Sequence, residues 1–182
     1  MEDLEKARGS TYKPFPPKHR WYTFDFNQKR QPTAGEVRQA IAEQAEGMLA
    51  PPISNLGVQG IRKAARHALK WPDLMDENTL RNTLFNAFVF IDAMGGTGGG
   101  AFRYMFSRFL REAAGIAGAG QLEKSAEAFQ HIGHRWQEVA EIFRRGWQAD
   151  DPVAVLAETT APMIGLADLE EAAWTQLREW AS

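Results

Sequence analysis

Six small residues, Gly95-Gly96-Thr97-Gly98-Gly99-Gly100, stand together between two apolar stretches and are the feature of this sequence best suited to chemistry. Glycine tolerates positive φ and lets foreign atoms approach the backbone. The amides of residues 97–101, at the start of the following helix, would then form a nest for an anion or an acyl carbonyl, with Arg103 beside it. The plainer use of such residues is a helix C-cap and a tight turn, which needs one or two glycines but hardly five. A phosphate-binding P-loop requires a lysine and a hydroxyl after its last glycine, whereas Ala101 and Phe102 follow here. No strand and crossover precede the loop as a dinucleotide site requires. Tubulin-like GTPases have a comparable loop entering a helix, but their preceding parallel strands are not visible. The candidate ligand-binding set is therefore Gly96, Thr97, Gly98, Gly99, Gly100 and Arg103.

Other residue types offer less. His131 and His134, three apart with Glu127 and Glu138 a turn to either side, would share a helix face. A di-metal bundle needs a second Glu-x-x-His pair, which is absent, so helix-surface histidines are the simpler account and no metal is expected. His19 and His67 have no catalytic neighbours in sequence. Six tryptophans would line a pocket for a ring-bearing substrate, or more commonly anchor a core or an interface. Trp136 and Trp147 suit the core, and Trp21 suits an interface. Arg108 and Arg111 fit a solvated face, with Glu112 one turn after Arg108. Arg103 is set apart by its place next to the glycines.

The elements that must position these residues are mostly helices. Thr33 and Glu36 form a capping box ahead of Val37, Ile41, Ala45 and Met48 at helical spacing. Pro51-Pro52 stops that helix, and Asn55 is placed to cap a second, which runs to about Lys70 and ends at Trp71-Pro72. A third begins near Asp76 and continues to Ile91, although Phe88-Val89-Phe90-Ile91 also suits a buried strand. Phe102, Met105, Phe106, Phe109, Leu110 and Ala113 mark an amphipathic helix after the loop. A long one from about Gln121 to Trp147 should be the central pillar. Asp151-Pro152 opens another, which Pro162 and Gly165 should bend or break before a last segment ending at Trp180.

The fold class is thus mainly α: an irregular helical bundle of about six or seven helices, residues 34–182, behind an extended leader, residues 1–33. Pro14, Pro16, Pro17 and Pro32 forbid a long helix in the leader, while Trp21-Tyr22-Thr23-Phe24-Asp25-Phe26 favours one β-strand with an aromatic face. A lone strand must pack on something, so Trp21, Tyr22, Phe24 and Phe26 are the candidate interface.

Composition narrows the function. At 182 residues, 44% hydrophobic and 24% charged, the chain can bury one substantial core. It contains no cysteine, which removes disulfides, thiolate metal sites and a thiol nucleophile, and fits a cytoplasmic setting. No apolar run approaches the length that spans a bilayer, and the first residues do not form a secretory signal. Residues 1–30 carry seven Lys or Arg against four acids, and residues 150–182 one Arg against seven acids. Neither is the concentrated basic face that nucleic acid requires, but the basic leader would suit an acidic neighbour.

Two stretches resemble a known family. They are Pro51-Pro52-Ile53-Ser54-Asn55-Leu56-Gly57-Val58-Gln59-Gly60-Ile61, and Gly96-Thr97-Gly98-Gly99-Gly100-Ala101-Phe102-Arg103 running into Phe109-Leu110-Arg111-Glu112-Ala113-Ala114. Ile132-Gly133 followed by Trp136 adds to them. The resemblance, over about residues 15–150, is to the C-terminal domain of unknown function in butirosin biosynthesis protein H-like proteins. It implies a non-catalytic accessory domain beside an N-terminal papain-like cysteine domain, fused or separate, that transfers an acyl group from a carrier-protein thioester. The leader, entered at Ala7-Arg8, resembles the seam between the two halves. No cofactor is implied. A free-standing binding protein, possible as a homodimer and using the same loop as an anion nest, is the alternative.

Overall fold

The computed structural model describes residues 2–11, 16–27, 29–92 and 98–182, and the chain divides into two compact units, Met1–Gln31 and Pro32–Ser182. The first unit opens with a short helix, α1 (Glu2–Arg8), which the prolines further on do not preclude. The chain then folds back, with the His19 amide donating to the Arg8 carbonyl at 3.0 Å and the Arg8 guanidinium 3.9 Å from the centre of the Trp21 ring. Residues 21–26 run without secondary structure. The expected strand is therefore not formed: a strand needs a ladder partner, and the described residues hold no other strand. The alternation survives all the same, since the rings of Phe24 and Phe26 stack at 6.2 Å, as side chains two apart on extended backbone can.

The described residues of the second unit form helices and the short turns between them. Its first helix, α2 (Ala34–Leu49), starts on the reciprocal capping box of Thr33 and Glu36. The next, α3 (Gly57–Ala68), begins one residue later than Asn55 as N-cap would set it, with Leu56 at the N-cap. Asn55 instead accepts from Lys63 Nζ at 2.6 Å. Trp71-Pro72 ends α3 and at once opens a single turn, α4 (Trp71–Leu74), where the missing proline N–H is not needed. The Asp76 carboxylate caps α5 (Glu77–Ile91), so the run 88–91 is helix, with Phe88 and Ile91 inward. A 3-10 turn (Gly100–Phe102) leads into α6 (Arg103–Ala117). The long α7 (Gln121–Gln148), the short α8 (Pro152–Ala157) and α9 (Thr160–Ala181) complete the unit.

Pro162 and Gly165 do not break α9, contrary to expectation. Pro162 falls in the first turn, where its N–H would find no intrahelical acceptor. Beyond it Met163, Leu166, Ala167, Ala173, Trp174 and Leu177 give the helix an apolar face against α2, α3 and α7. That burial outweighs the roughly 1 kcal/mol a mid-helix glycine costs. The pillar α7 packs against α5, α6, α8 and α9. At its heart the rings of Phe106, Phe129 and Trp174 meet pairwise with centroids 4.6 to 4.8 Å apart.

Candidate functional site

Gly95, Gly96 and Thr97 lie outside the described residues, so the site is built from Gly98 onward. Five successive residues hold positive φ: Gly98 +70°, Gly99 +83°, Gly100 +56°, Ala101 +47° and Phe102 +68°. Glycine adopts this freely, but each of Ala101 and Phe102 pays about 1–2 kcal/mol. The neighbours that hold the turn are specific. Gln137, on α7, accepts from the Gly100 amide at 2.9 Å and donates to Asp92 Oδ2 at 2.8 Å, tying the end of α5 to the start of the turn. A Cβ on Gly100 would lie 2.8 Å from the Gly133 backbone, and one on Gly133 would lie 2.5 Å from the Tyr104 ring. Turn, pillar and Tyr104 are therefore stacked at backbone contact, which explains two of the glycines without any ligand. Gly99 is buried and Gly98 is exposed.

Arg103 points inward. Its Nε and one Nη donate to the two carboxylate oxygens of Glu170 at 2.7 and 3.1 Å, and the other Nη donates to the Ala101 carbonyl at 2.8 Å. Glu170 has no exposure, and its oxygens also accept from the indole N–H groups of Trp136 at 2.8 Å and Trp174 at 2.7 Å. A carboxylate with four donors is a satisfied buried charge. Arg103 thereby locks the left-handed turn to α9. Arg108 and Arg111 are exposed.

Tyr104 and His134 are brought together, the phenol oxygen 2.9 Å from Nδ1 and the rings edge to face. Burial, and then the charge of Asp92, hold the phenol above its ordinary pKa. His131 is exposed and lines a separate depression with Ala128, Leu169 and Ala172. Among the described residues no three His, Asp or Glu side chains cluster as metal ligands would.

Beside the turn lies a pocket of about 430 Å³ lined by Gln44 of α2, Phe102, Arg103, Met105, Phe106 and Phe109 of the turn and α6, and Trp174 of α9. Its walls are aromatic apart from the Met105 thioether, and its polar groups are the Gln44 amide and the Arg103 guanidinium. Of the expected site residues, Arg103 lines this pocket, beside Trp174. Sequence reasoning did not single out Glu170, Tyr104, Gln137 or Gln44. Only Glu170 left a signal, an acid inside the apolar stripe of α9. The leader aromatics Trp21, Tyr22, Phe24 and Phe26 are 72 to 77% exposed within their own unit.

Fold and site together define an all-α domain in which a left-handed glycine turn, pinned from within, borders an aromatic pocket. Residues 2–177 match the domain of unknown function DUF4872, and the chain belongs to that family. No curated protein and no solved structure matches it. No helix among the described residues is long and apolar enough to cross a membrane.

Proposed function

We propose that this chain is a non-catalytic helical accessory domain of a butirosin biosynthesis protein H-like acyltransferase or cysteine-peptidase-like protein. Its turn and the head of α6 shape the acceptor or carrier site of a cysteine-bearing catalytic domain, in a cytoplasmic, antibiotic-forming setting. The observation that carries this reading is the left-handed run 98–102. Two non-glycine residues kept there at a cost of about 1–2 kcal/mol each are the kind of stored strain that persists where a binding site needs it. The absence of cysteine from all 182 residues assigns any thiol nucleophile to the partner. The exposed Gly98 amide and the pocket rim are the surfaces the turn offers, and the leader's aromatic side chains are the second contact.

Assay of acyl transfer by the catalytic domain, with and without this chain, tests the reading. The chain alone should be inactive, and Phe102→Gly, which relieves strain and removes the rim ring, should lower kcat/KM of the joined protein about tenfold, roughly 1.4 kcal/mol in the transition state. Full activity in a correctly folded Phe102→Gly protein would overturn it. The alternative, a free-standing binding protein, is favoured by the pocket's self-contained walls, all of which belong to one unit.

A further inference from the structure

We infer that the pocket between the left-handed turn, α6, α2 and α9 binds a small neutral molecule that carries an aromatic ring and a carbonyl or hydroxyl oxygen. This goes beyond the accessory reading, because it concerns the pocket alone and holds whether or not a catalytic domain acts beside it.

Size comes first. A volume of about 430 Å³ lies within the range of small-molecule sites, ~300–1,000 Å³, and well above what one or two waters occupy. The walls set the ligand's body. Phe106 packs its ring 5.6 Å from Phe109 and 4.8 Å from Trp174, so several π systems border one space, which Met105 also lines. Such walls complement a planar ring by offset and edge-to-face packing, and Met adapts to its outline.

The polar groups set the rest. Arg103 has five N–H donors, and Glu170 and Ala101 engage three of its nitrogens. Arg103 also lines the pocket, but its charge is already matched by the buried Glu170 carboxylate. An anionic ligand would meet a neutral pair rather than a free cation, and would lose more hydration than it regained. A neutral oxygen acceptor loses little and can be met by a residual Arg103 N–H or by the Gln44 amide. This neutrality separates the pocket from the anion nest that the glycines suggest.

Phe102 supplies the independent sign. The residue is 48% exposed, and its backbone is held at φ 68°, ψ −1°, a conformation a half-exposed phenylalanine would leave if only stability counted. Strain of this kind concentrates at ligand clamps. Held there, the ring forms the pocket's outer wall.

The test uses the full chain carrying 13C-methyl methionine, with Met105 among the six methionine signals assigned by Met105→Leu. Acetanilide, a neutral ring with one carbonyl, should shift the Met105 methyl saturably, with Kd on the order of a millimolar, as befits a ligand of about ten heavy atoms. Cyclohexanecarboxamide, whose ring is saturated, and benzoate, which carries the charge, should each bind about tenfold more weakly. Gln44→Trp, a change at an exposed position of α2 that fills the pocket from its rim, should abolish the acetanilide shift while circular dichroism and Tm stay as in the parent. The inference is overturned by an unmoved Met105 signal at saturating acetanilide. An equal response in Gln44→Trp, or benzoate binding as tightly as acetanilide, would overturn it as well.

Discussion

Glu170 answers for more of this molecule than its single charge suggests. It joins Arg103, Trp136 and Trp174, and through Arg103 it fixes the Ala101 carbonyl of the left-handed turn. Substitution by glutamine keeps the shape but turns an amide N–H₂ toward groups that are all donors and leaves the Arg103 charge unmatched. Glu170→Gln should lower unfolding free energy by about 3–5 kcal/mol, read as a fall in urea midpoint at unchanged slope. Pairing Arg103→Met with Glu170→Leu should recover only part of that loss, because it removes both charges but leaves the Trp136 and Trp174 indole N–H groups and the Ala101 carbonyl without these partners. At this scale the sequence is only partly readable. Arg103 stands out by its place after the glycines, but its direction does not, because whether an arginine turns outward to a ligand or inward to an acid depends on a residue 67 positions away on another helix. Glu170 itself betrays its burial only by sitting in the apolar period of α9.

Elements show a different balance. Helix starts are written locally, and the caps at Thr33, Asp76 and Asp151 all stand where side-chain chemistry puts them. Stops are less local: Pro162 reads as a breaker and is harmless because tertiary packing draws the helix start two residues ahead of it. The strand expected at 21–26 fails for the converse reason, since its alternation is real but a ladder needs a partner that no local pattern supplies. The contact between the turn and α7 could not be read from either segment alone, though Gly100 and Gly133 were both in view. It makes a sharp prediction. Gly133→Ala puts a methyl 2.5 Å from the Tyr104 ring, so the ring must move. The Tyr104–His134 contact should be lost, visible as a displaced His134 ring signal by NMR, at a cost of about 1–3 kcal/mol. Tyr104 also gives the fold one contact that is sensitive to alkali. Because its folded pKa is raised above the ordinary tyrosine value of 10.0 by burial and by Asp92, its contribution is complete below that value and is lost as pH rises through the folded pKa. Ultraviolet titration should find one of the three tyrosines ionising late, and Tyr104→Phe should remove both that step and its share of the alkaline destabilisation.

For the whole molecule, the two units make separate claims on the chain. The buried apolar residues described begin at Val37 and run to Ala181, so residues 32–182 hold a complete core. Excised, they should keep helical circular dichroism and unfold in one cooperative transition, and limited proteolysis of the full chain should cut first near residue 31. The uneven charge of the sequence also looks different when folded. Of the acids after residue 150, Glu158 pairs with Arg145, Asp168 and Glu171 share Arg62, and Glu170 is matched by Arg103. Four of the seven acids in residues 150–182 are thus paired within the unit. Finally, the Gln137 side chain grips Asp92 with one atom and Gly100 with another, so the two ends of the intervening segment are anchored to the pillar independently of what lies between them. One side chain of α7 thereby serves two elements at once, and its loss would free the end of α5 and the 3-10 turn together.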